Sequence, residues 1–208
     1  GVWKTVDFSR SYESPVVVGT TNTKQGENGV VFEVKNVRDD QALMRLCESE
    51  GSVERGCDMH GYERAGYVVV DQAVMDEYQG VEAGTFSIDS EIDDNRHTES
   101  YSESFGSEPM VFFKVQTDNG DGPVTSWPTT TDADGFTAGI CEQASNNACN
   151  EGHQTETVGW VALEPGNLPF DEQAQTASLG ETSSSNWDTA DYTDFSARPV
   201  GLFEVQNN

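Results

Sequence analysis

Two His-x-x-Glu motifs contain the residues whose types and spacing best suit chemistry. His60 precedes Glu63 and His153 precedes Glu156, each just before a run of glycine, an aromatic residue and aliphatic residues. An imidazole and a carboxylate within reach of each other form a general acid–base pair, and both groups also bind metals. At positions i and i+3 of a strand, however, two side chains point to opposite faces. We therefore predict a structural, hydrogen-bonded role for both motifs, with catalysis or ligand binding as the alternatives.

Four cysteines form two equivalent pairs, Cys47 with Cys57 and Cys141 with Cys149. Matched pairs in an acidic chain without cytosolic motifs predict two local disulfides and an oxidising exterior. On the chain-entropy model each disulfide stabilises the fold by about 2–3 kcal/mol. A metal site is the alternative because a histidine follows each pair, but neither cysteine spacing is that of a zinc knuckle.

Acidic residues near predicted turns raise the question of calcium, which takes roughly six to eight oxygen ligands. The best set is Asp118, Asp121, Asp132 and Asp134. The first two and the last two flank a predicted strand at opposite ends, so solvated turn carboxylates are the favoured interpretation. The sequence thus predicts no cofactor, with Ca²⁺ at Asp132 and Asp134 as the alternative. Trp127 is the candidate for ligand binding, because an indole can stack on a sugar.

Charge and motif content exclude several classes of protein. The chain has 37 Asp and Glu against 11 Lys and Arg, a formal net charge of −26, whereas nucleic-acid binding requires basic surfaces. No apolar run is long enough for a membrane helix, and no nucleophile elbow, Walker loop or dinucleotide fingerprint is present, so we predict a non-enzymatic protein. The scarcity of lysine favours a high-salt origin, in which salt screens the repulsion; a solubilised secreted protein is the alternative.

The chain repeats itself. Residues 15–23 align with residues 109–117 at an offset of 94, and the two His-x-x-Glu motifs align at an offset of 93. A third, incomplete copy opens near Ala174. Self-similarity at a fixed period indicates repeated structural units. The predicted domains are residues 1–79, 80–173 and 174–208.

Each copy is predicted to be a β-sandwich. In the second copy, β-branched and aromatic segments alternate with Gly, Asn and Asp turns. The six predicted strands are 83–88, 97–105, 109–117, 122–128, 135–142 and 154–164. Residues 40–47 look helical by composition, but their partner 134–141 alternates and holds two glycines, so both are predicted as strands. The fold class is therefore all-β, with tandem six-stranded antiparallel β-sandwich domains.

The order of these elements resembles the H-type lectin-like domain of snail agglutinins and of bacterial and archaeal extracellular proteins. The likeness is carried by residues 14–18 and 153–161, and it covers both full copies and the partial third. It implies a six-stranded antiparallel β-sandwich per repeat, frequent trimeric assembly, and binding of N-acetylgalactosamine-type sugars in the agglutinins. The cysteine positions differ from the agglutinin pattern, and no agglutinin sugar contact maps onto this chain.

The first copy does not start at the same element as the other two. The first copy begins at Trp3 and lacks the opening strand that the second has at 83–88 and the third at 176–181. Either the chain is a piece of a longer array, or the C-terminal strands of one copy complete the first sandwich of the next, head to tail. We predict a non-enzymatic extracellular structural subunit of a surface appendage, fibre or spike, on a cell or a virion. A carbohydrate-binding adhesin that takes glycans as partners is the alternative. The charge predicts an assembly that is stable in high salt and loosened by dilution.

Overall fold

A computed structural model describes residues 2–23, 30–48, 62–72, 80–90, 96–120, 124–142, 153–167 and 173–174. Over these residues the chain is all-β, as the sequence predicts, with antiparallel sheets and no α-helix. Among the same residues, no helix has the length and apolar composition needed to cross a membrane.

The first repeat contributes five described strands in two sheets. They are β1 (Lys4–Asp7), β2 (Pro15–Thr21), β3 (Val30–Arg38), β4 (Gln41–Glu48) and β5 (Ala65–Asp71). One sheet has the order β1-β4-β3, and the other pairs β2 with β5. Strand β4 confirms the strand prediction for residues 40–47 over the helical appearance of their composition.

The second repeat contributes six described strands. They are β6 (Val81–Ser90), β7 (His97–Ser100), β8 (Met110–Val115), β9 (Val124–Thr131), β10 (Gly135–Glu142) and β11 (His153–Leu163). The two sheets have the orders β6-β11-β8 and β7-β10-β9. All six predicted strands are present. Strand β7 ends earlier than predicted, because residues 101–105 turn back onto the β9–β10 turn through bonds from Tyr101 N to Asp134 O and from Phe105 N to Ala133 O.

A short pair of strands follows the second repeat. Strand β12 (Gly166–Asn167) pairs antiparallel with β13 (Gln173–Ala174). The rest of the predicted third copy, residues 175–208, lies outside the described residues.

Each sandwich encloses its own apolar core. The first core contains Val17, Phe32 and Met44, and the second is richer in aromatic rings. In the second core, the Phe136 ring packs edge-on against Phe113, with centroids 4.9 Å apart, and against Trp160, at 5.2 Å. Each such ring buried from water stabilises the fold by about 1.5–3 kcal/mol, which makes the cores the main source of stability.

A third apolar cluster joins the two sandwiches. It contains Val16 and Val18 of β2, Phe112 of β8 and Val161 of β11, all buried. The β2–β5 sheet therefore packs against the β6–β11–β8 sheet, while Val17 points into the first core. A strand that is buried on both faces has a continuous apolar run instead of an alternating one, which accounts for the Val-Val-Val sequence of β2.

Candidate functional site

The second His-x-x-Glu motif lies at the start of β11, beside the loop that follows β8. Glu156 is only 1% exposed, and its Oε1 accepts the backbone N–H groups of Asn119, at 2.8 Å, and Gly120, at 3.2 Å. The Thr117 hydroxyl donates to Glu156 Oε2 and accepts the N–H of Thr157 at 2.8 Å. A buried carboxylate is tolerated when hydrogen bonds replace its lost hydration. This carboxylate thus holds the loop against β11 and is closed to a substrate.

His153 and Glu156 lie on the same side of β11, so the expectation that their side chains diverge is wrong. The pairing of β11 with β6 shifts register between these two residues, as in a β-bulge. The shift leaves His153 Nδ1 3.6 Å from Glu156 Oε1 and 2.9 Å from the carbonyl oxygen of Gln154. The geometry supports a hydrogen-bonded role. Spacing alone could not reveal it, because a bulge leaves no mark in the residue pattern.

The first repeat has the same threonine–glutamate contact at Glu63. The hydroxyl of Thr23, the counterpart of Thr117, donates to Glu63 Oε2 and accepts the N–H of Arg64 at 2.7 Å. Both repeats therefore tie a loop to a strand through a Thr–Glu bridge. Neither threonine was predicted as part of a site, although Thr23 and Thr117 occupy equivalent positions in the aligned repeats, which was a usable signal. His60 lies outside the described residues.

The cysteines occupy equivalent strands of the two repeats. Cys47 in β4 and Cys141 in β10 are both buried, and both are disulfide-bonded. Their predicted partners, Cys57 and Cys149, lie outside the described residues. The pairing within each repeat stays a prediction.

The candidate calcium ligands shape the turn between β9 and β10. Asp132 Oδ1 accepts the N–H groups of Asp134, at 2.8 Å, and Gly135, at 3.0 Å. Asp134 Oδ1 accepts the Ser104 hydroxyl at 2.5 Å. This is the local side-chain-to-backbone bonding by which aspartate favours turns. Within the described residues, no three His, Cys, Asp or Glu side chains are grouped to hold a metal ion.

Trp127 lies half-buried on the outer face of β9, away from the sandwich core. Its cross-strand neighbour is Gly139 of β10, and a Cβ at that glycine would lie 3.6 Å from the indole ring. The indole therefore covers the strand at a position without a side chain, an arrangement that stabilises glycine in sheets. Thr129 is on the same strand, and its hydroxyl donates to the carbonyl of Thr137 at 3.0 Å.

The two repeats pack together through equivalent positions of their sheets. Val18 in the first repeat corresponds to Phe112 in the second, at the offset of 94, and both are buried in the shared cluster. The other equivalent pairs in this cluster are Val16 with Met110 and Val70 with Leu163. Because each repeat uses the same face, the contact resembles a closed dimer interface within one chain.

Side chains of β8 and of the residue after it form hydrogen bonds with backbone groups on the edges of β2 and β3, next to this shared face. Gln116 Oε1 accepts the N–H of Val17, on an edge of β2, at 3.3 Å. Lys114 Nζ donates to the carbonyl of Phe32, on the edge strand β3, at 2.6 Å. Backbone groups at sheet edges invite pairing with other chains, so these side chains also protect the first repeat.

A cluster of cations lies at the same junction. Lys35 Nζ is 2.6 Å from Asp118 Oδ2 of the second repeat and 4.2 Å from the centre of the Trp3 ring. The Arg45 guanidinium also lies 4.2 Å from the Trp3 ring centre and bonds Glu33. The chain has few basic residues, and these contacts place Lys35, Arg45 and Lys114 at the contact between the repeats. No sequence motif marks this cluster, because its members are far apart along the chain.

Glu82 is a second buried carboxylate. It lies on β6, and its Oε1 accepts the N–H of Ser102 at 2.8 Å. Burial raises the pKa of Glu82 above its ordinary value; the Ser102 bonds oppose this shift, and the charges of Glu99 and Glu103 add to it. Burial and the charge of Glu82 likewise raise the pKa of Tyr101. The carboxylate anchors the segment after β7, and no sequence motif marks it.

No protein-family model and no solved structure matches the chain. Among curated proteins, it is similar to halomucin of Haloquadratum walsbyi, with 27% identity over 184 residues. The match covers 84% of this chain, which spans only 2% of the length of that protein. This similarity agrees with the predicted high-salt origin and extracellular location. The resemblance to H-type lectin domains stays a prediction.

Proposed function

We propose that this chain is a non-enzymatic structural segment of an extracellular haloarchaeal surface protein. The observation that carries the proposal is the apolar face shared by the two repeats, in which Val16 and Val18 are buried against Phe112 and Val161. Domains connected only by a linker move independently, whereas an apolar interface of this kind makes them one block. A stiff double sandwich suits a load-bearing or spacing role in an appendage, fibre or spike.

The engagement of the buried carboxylates supports a role without catalysis. The carboxylate oxygens of Glu156 and Glu82 both accept hydrogen bonds from backbone and hydroxyl groups of neighbouring loops. A general base needs instead to reach a substrate proton. These carboxylates position loops, which is the work of a scaffold.

Self-assembly follows from the same role, and the charge sets its conditions. Copies that each carry −26 repel one another unless salt screens the charge. At about 1 M salt the Debye length is about 3 Å, so surfaces of like charge can approach closely. We expect head-to-tail assemblies in molar KCl that dissociate when the salt is diluted. Electron microscopy and light scattering would detect both states. Assemblies that persist in low salt would argue against a halophilic surface.

Stiffness is tested by small-angle X-ray scattering of the full chain in molar KCl, at protein concentrations low enough for the chain to be monomeric. We expect one compact double-sandwich distance distribution for the protein as it stands. Val18→Asp places a charge in the shared face and should broaden the distribution, whereas Thr98→Asp, at an exposed position of β7, should not. A broad distribution for the unsubstituted chain would contradict the structural proposal.

Carbohydrate binding is the second candidate, favoured by the half-buried Trp127 on the outer face of β9, with the Thr129 hydroxyl on the same strand. Pyranose rings stack on such indoles, and the hydroxyls offer hydrogen bonds. A glycan array should then show binding that Trp127→Ala abolishes. Trp3→Ala is the matched control, because the Trp3 ring is already in contact with Lys35 and Arg45. Equal binding by both variants would remove Trp127 from consideration.

A further inference from the structure

The two repeats differ at one strand edge. Strand β11 pairs with β8 on one edge and with β6 on the other, whereas its counterpart β5 pairs with β2. Among the residues that the structure describes, no strand pairs with the second edge of β5. The bond from Asn22 N to Arg64 O shows that even-numbered residues of this strand face β2. Tyr67 and Val69 therefore direct their backbone N–H and C=O groups to the open edge.

Three other strand edges of the sandwiches are protected. Lys114 bonds the β3 edge at Phe32, and Gln116 bonds the β2 edge at Val17. On β9, Pro128 has no N–H to offer. Proteins block strand edges in such ways because an unprotected edge recruits another strand. In contrast, β5 has Val68 exposed and neither a proline nor a lysine between its ends.

We propose that the open edge of β5 binds residues 176–181 of a second copy, an inference that rests on the proposed self-assembly. At the offset of 93, residues 83–88 of β6 correspond to residues 176–181, and β11 corresponds to β5. In the second repeat, Val161 is opposite Ala83 and Trp160 is opposite Gly84. The same register places Val68 opposite Thr176 and Tyr67 opposite Ala177.

Side-chain sizes in this register are complementary. A Cβ at Gly84 would lie 2.9 Å from the Trp160 indole, so the larger ring demands glycine. In the proposed pairing a smaller ring, Tyr67, faces a larger residue, Ala177. The sum of the two sizes is thus maintained, as close packing between facing side chains requires.

A polar contact is also reproduced. Ser102 N donates to Glu82 Oε1 in the second repeat, and the counterparts of these residues at the offset of 93 are Ser9 and Gln175. The Gln175 amide oxygen can accept the Ser9 N–H without burying a charge. Since Ser9 belongs to one copy and Gln175 to the next, the contact is heterologous and propagates into an open chain of copies.

Engineered disulfides test the register directly. Val68 and Thr176 form a non-hydrogen-bonded pair, with Cα atoms about 4.5 Å apart, which a disulfide can bridge. Mixing a Val68→Cys chain with a Thr176→Cys chain under oxidising conditions should give a linked dimer on a non-reducing gel. The pair Val68→Cys with Ala177→Cys is one residue out of register and should give none. No dimer with the first pair, or equal dimer with both, would overturn the proposal.

One further variant separates a second copy from the chain's own segment. A single chain carrying both Val68→Cys and Thr176→Cys should form linked multimers in molar KCl. A disulfide that closes only within that chain would show that residues 176–181 return to their own β5, and the proposal would be wrong. Small-angle scattering measures the stiffness of the double sandwich independently of the cross-links. The proposed structural role and the proposed strand pairing can therefore fail separately.

Synthetic peptides covering residues 173–182 test the hydrogen bonds. In the proposed register Ala177 directs its N–H to β5 and Ser178 directs its N–H away. A peptide N-methylated at Ser178 should inhibit cross-linking of the Val68→Cys and Thr176→Cys chains. The isomer methylated at Ala177 should inhibit it about tenfold less, because it loses a ladder bond and adds a clash. Equal inhibition by the two isomers would exclude strand addition.

Discussion

The outer faces of the two three-stranded sheets differ although their backbones correspond. Glu33 and Arg45 form a cross-strand pair on β3 and β4, and the equivalent pair on β9 and β10 is Trp127 with Gly139. In the first repeat this face contacts the second repeat, because Arg45 Nη2 also lies 4.0 Å from Asp118 Oδ1. In the second repeat an indole covers a glycine instead. The same backbone arrangement thus forms an internal contact in the first repeat and, among the described residues, an uncovered surface in the second.

The edges of these two sheets differ in a related way. Val34 on the β3 edge corresponds to Pro128 on the β9 edge, at the offset of 94. The β3 edge is covered by the second repeat, as the Lys114 bond to Phe32 shows, and keeps its N–H groups. The β9 edge has no such cover among the described residues and has lost one donor to proline. An edge that the other repeat covers keeps its N–H groups, whereas an edge without such cover has a proline instead.

The largest expected loss of stability, and the largest difference between the repeats, comes from the two Thr–Glu bridges. Glu156→Ala leaves two backbone N–H groups and a hydroxyl without their acceptor in a buried site, and should lower the free energy of unfolding by about 4 kcal/mol. Glu63→Ala removes a half-buried carboxylate and should cost about 1 kcal/mol, since water can replace it. Urea titrations at constant KCl measure both. Equal losses would show that burial does not distinguish the two bridges.

The shared face is tested by two adjacent phenylalanines. Phe112 points at the first repeat and Phe113 into its own core, and both are buried. Either change to alanine should cost about 3 kcal/mol. Only Phe112→Ala should uncouple the repeats and split the single calorimetric transition into two. A single transition in Phe112→Ala would mean that the shared face does not couple the sandwiches.

Glu82 supplies a pH-dependent difference between the copies, since its third-copy counterpart is Gln175. Burial raises its folded-state pKa above 4.5, so the folded protein binds the proton more tightly than the unfolded chain. Its ionisation therefore lowers stability as the pH rises from about 4.5 through the folded-state pKa. Glu82→Gln keeps the acceptor for Ser102 and should raise the melting temperature at neutral pH. The gain should vanish below pH 4.5.

A control for this pH effect is Glu103→Gln, at an exposed position near the same segment. It removes one repelling charge but no buried one, so its gain in melting temperature should be smaller. A gain for Glu82→Gln that is independent of pH would contradict an origin in carboxylate ionisation.

Local and distant features of this fold differ in how far the sequence predicts them. Alternation along six segments predicted all six strands of the second repeat, because the period of two is a property of each strand alone. The apolar run at Val16, Val17 and Val18 was visible, but its partner on β8 was not, since packing between sheets joins residues far apart in sequence. The bulge at His153 was hidden for a different reason: it is set by pairing with β6.

The smallest expected change in stability comes from the β9 edge. The bond from Tyr101 N to Asp134 O shows that even-numbered residues of β10 face β7, so Pro128, opposite Ala138, directs its nitrogen away from β10. Pro128→Val breaks no ladder bond and should change the free energy of unfolding by less than about 1 kcal/mol. It does restore an N–H on an edge strand, at the position where the first repeat has Val34.

We therefore expect Pro128→Val to associate in molar KCl at concentrations at which the unsubstituted protein remains less associated, as measured by light scattering. Thr129→Val is the control, because it adds an apolar side chain to the same strand without adding a donor. If association increases equally in both variants, apolar surface is responsible. If it increases in neither, proline is not what closes this edge. Association confined to Pro128→Val would show that the missing donor protects the second repeat, as contact with the second repeat protects the first.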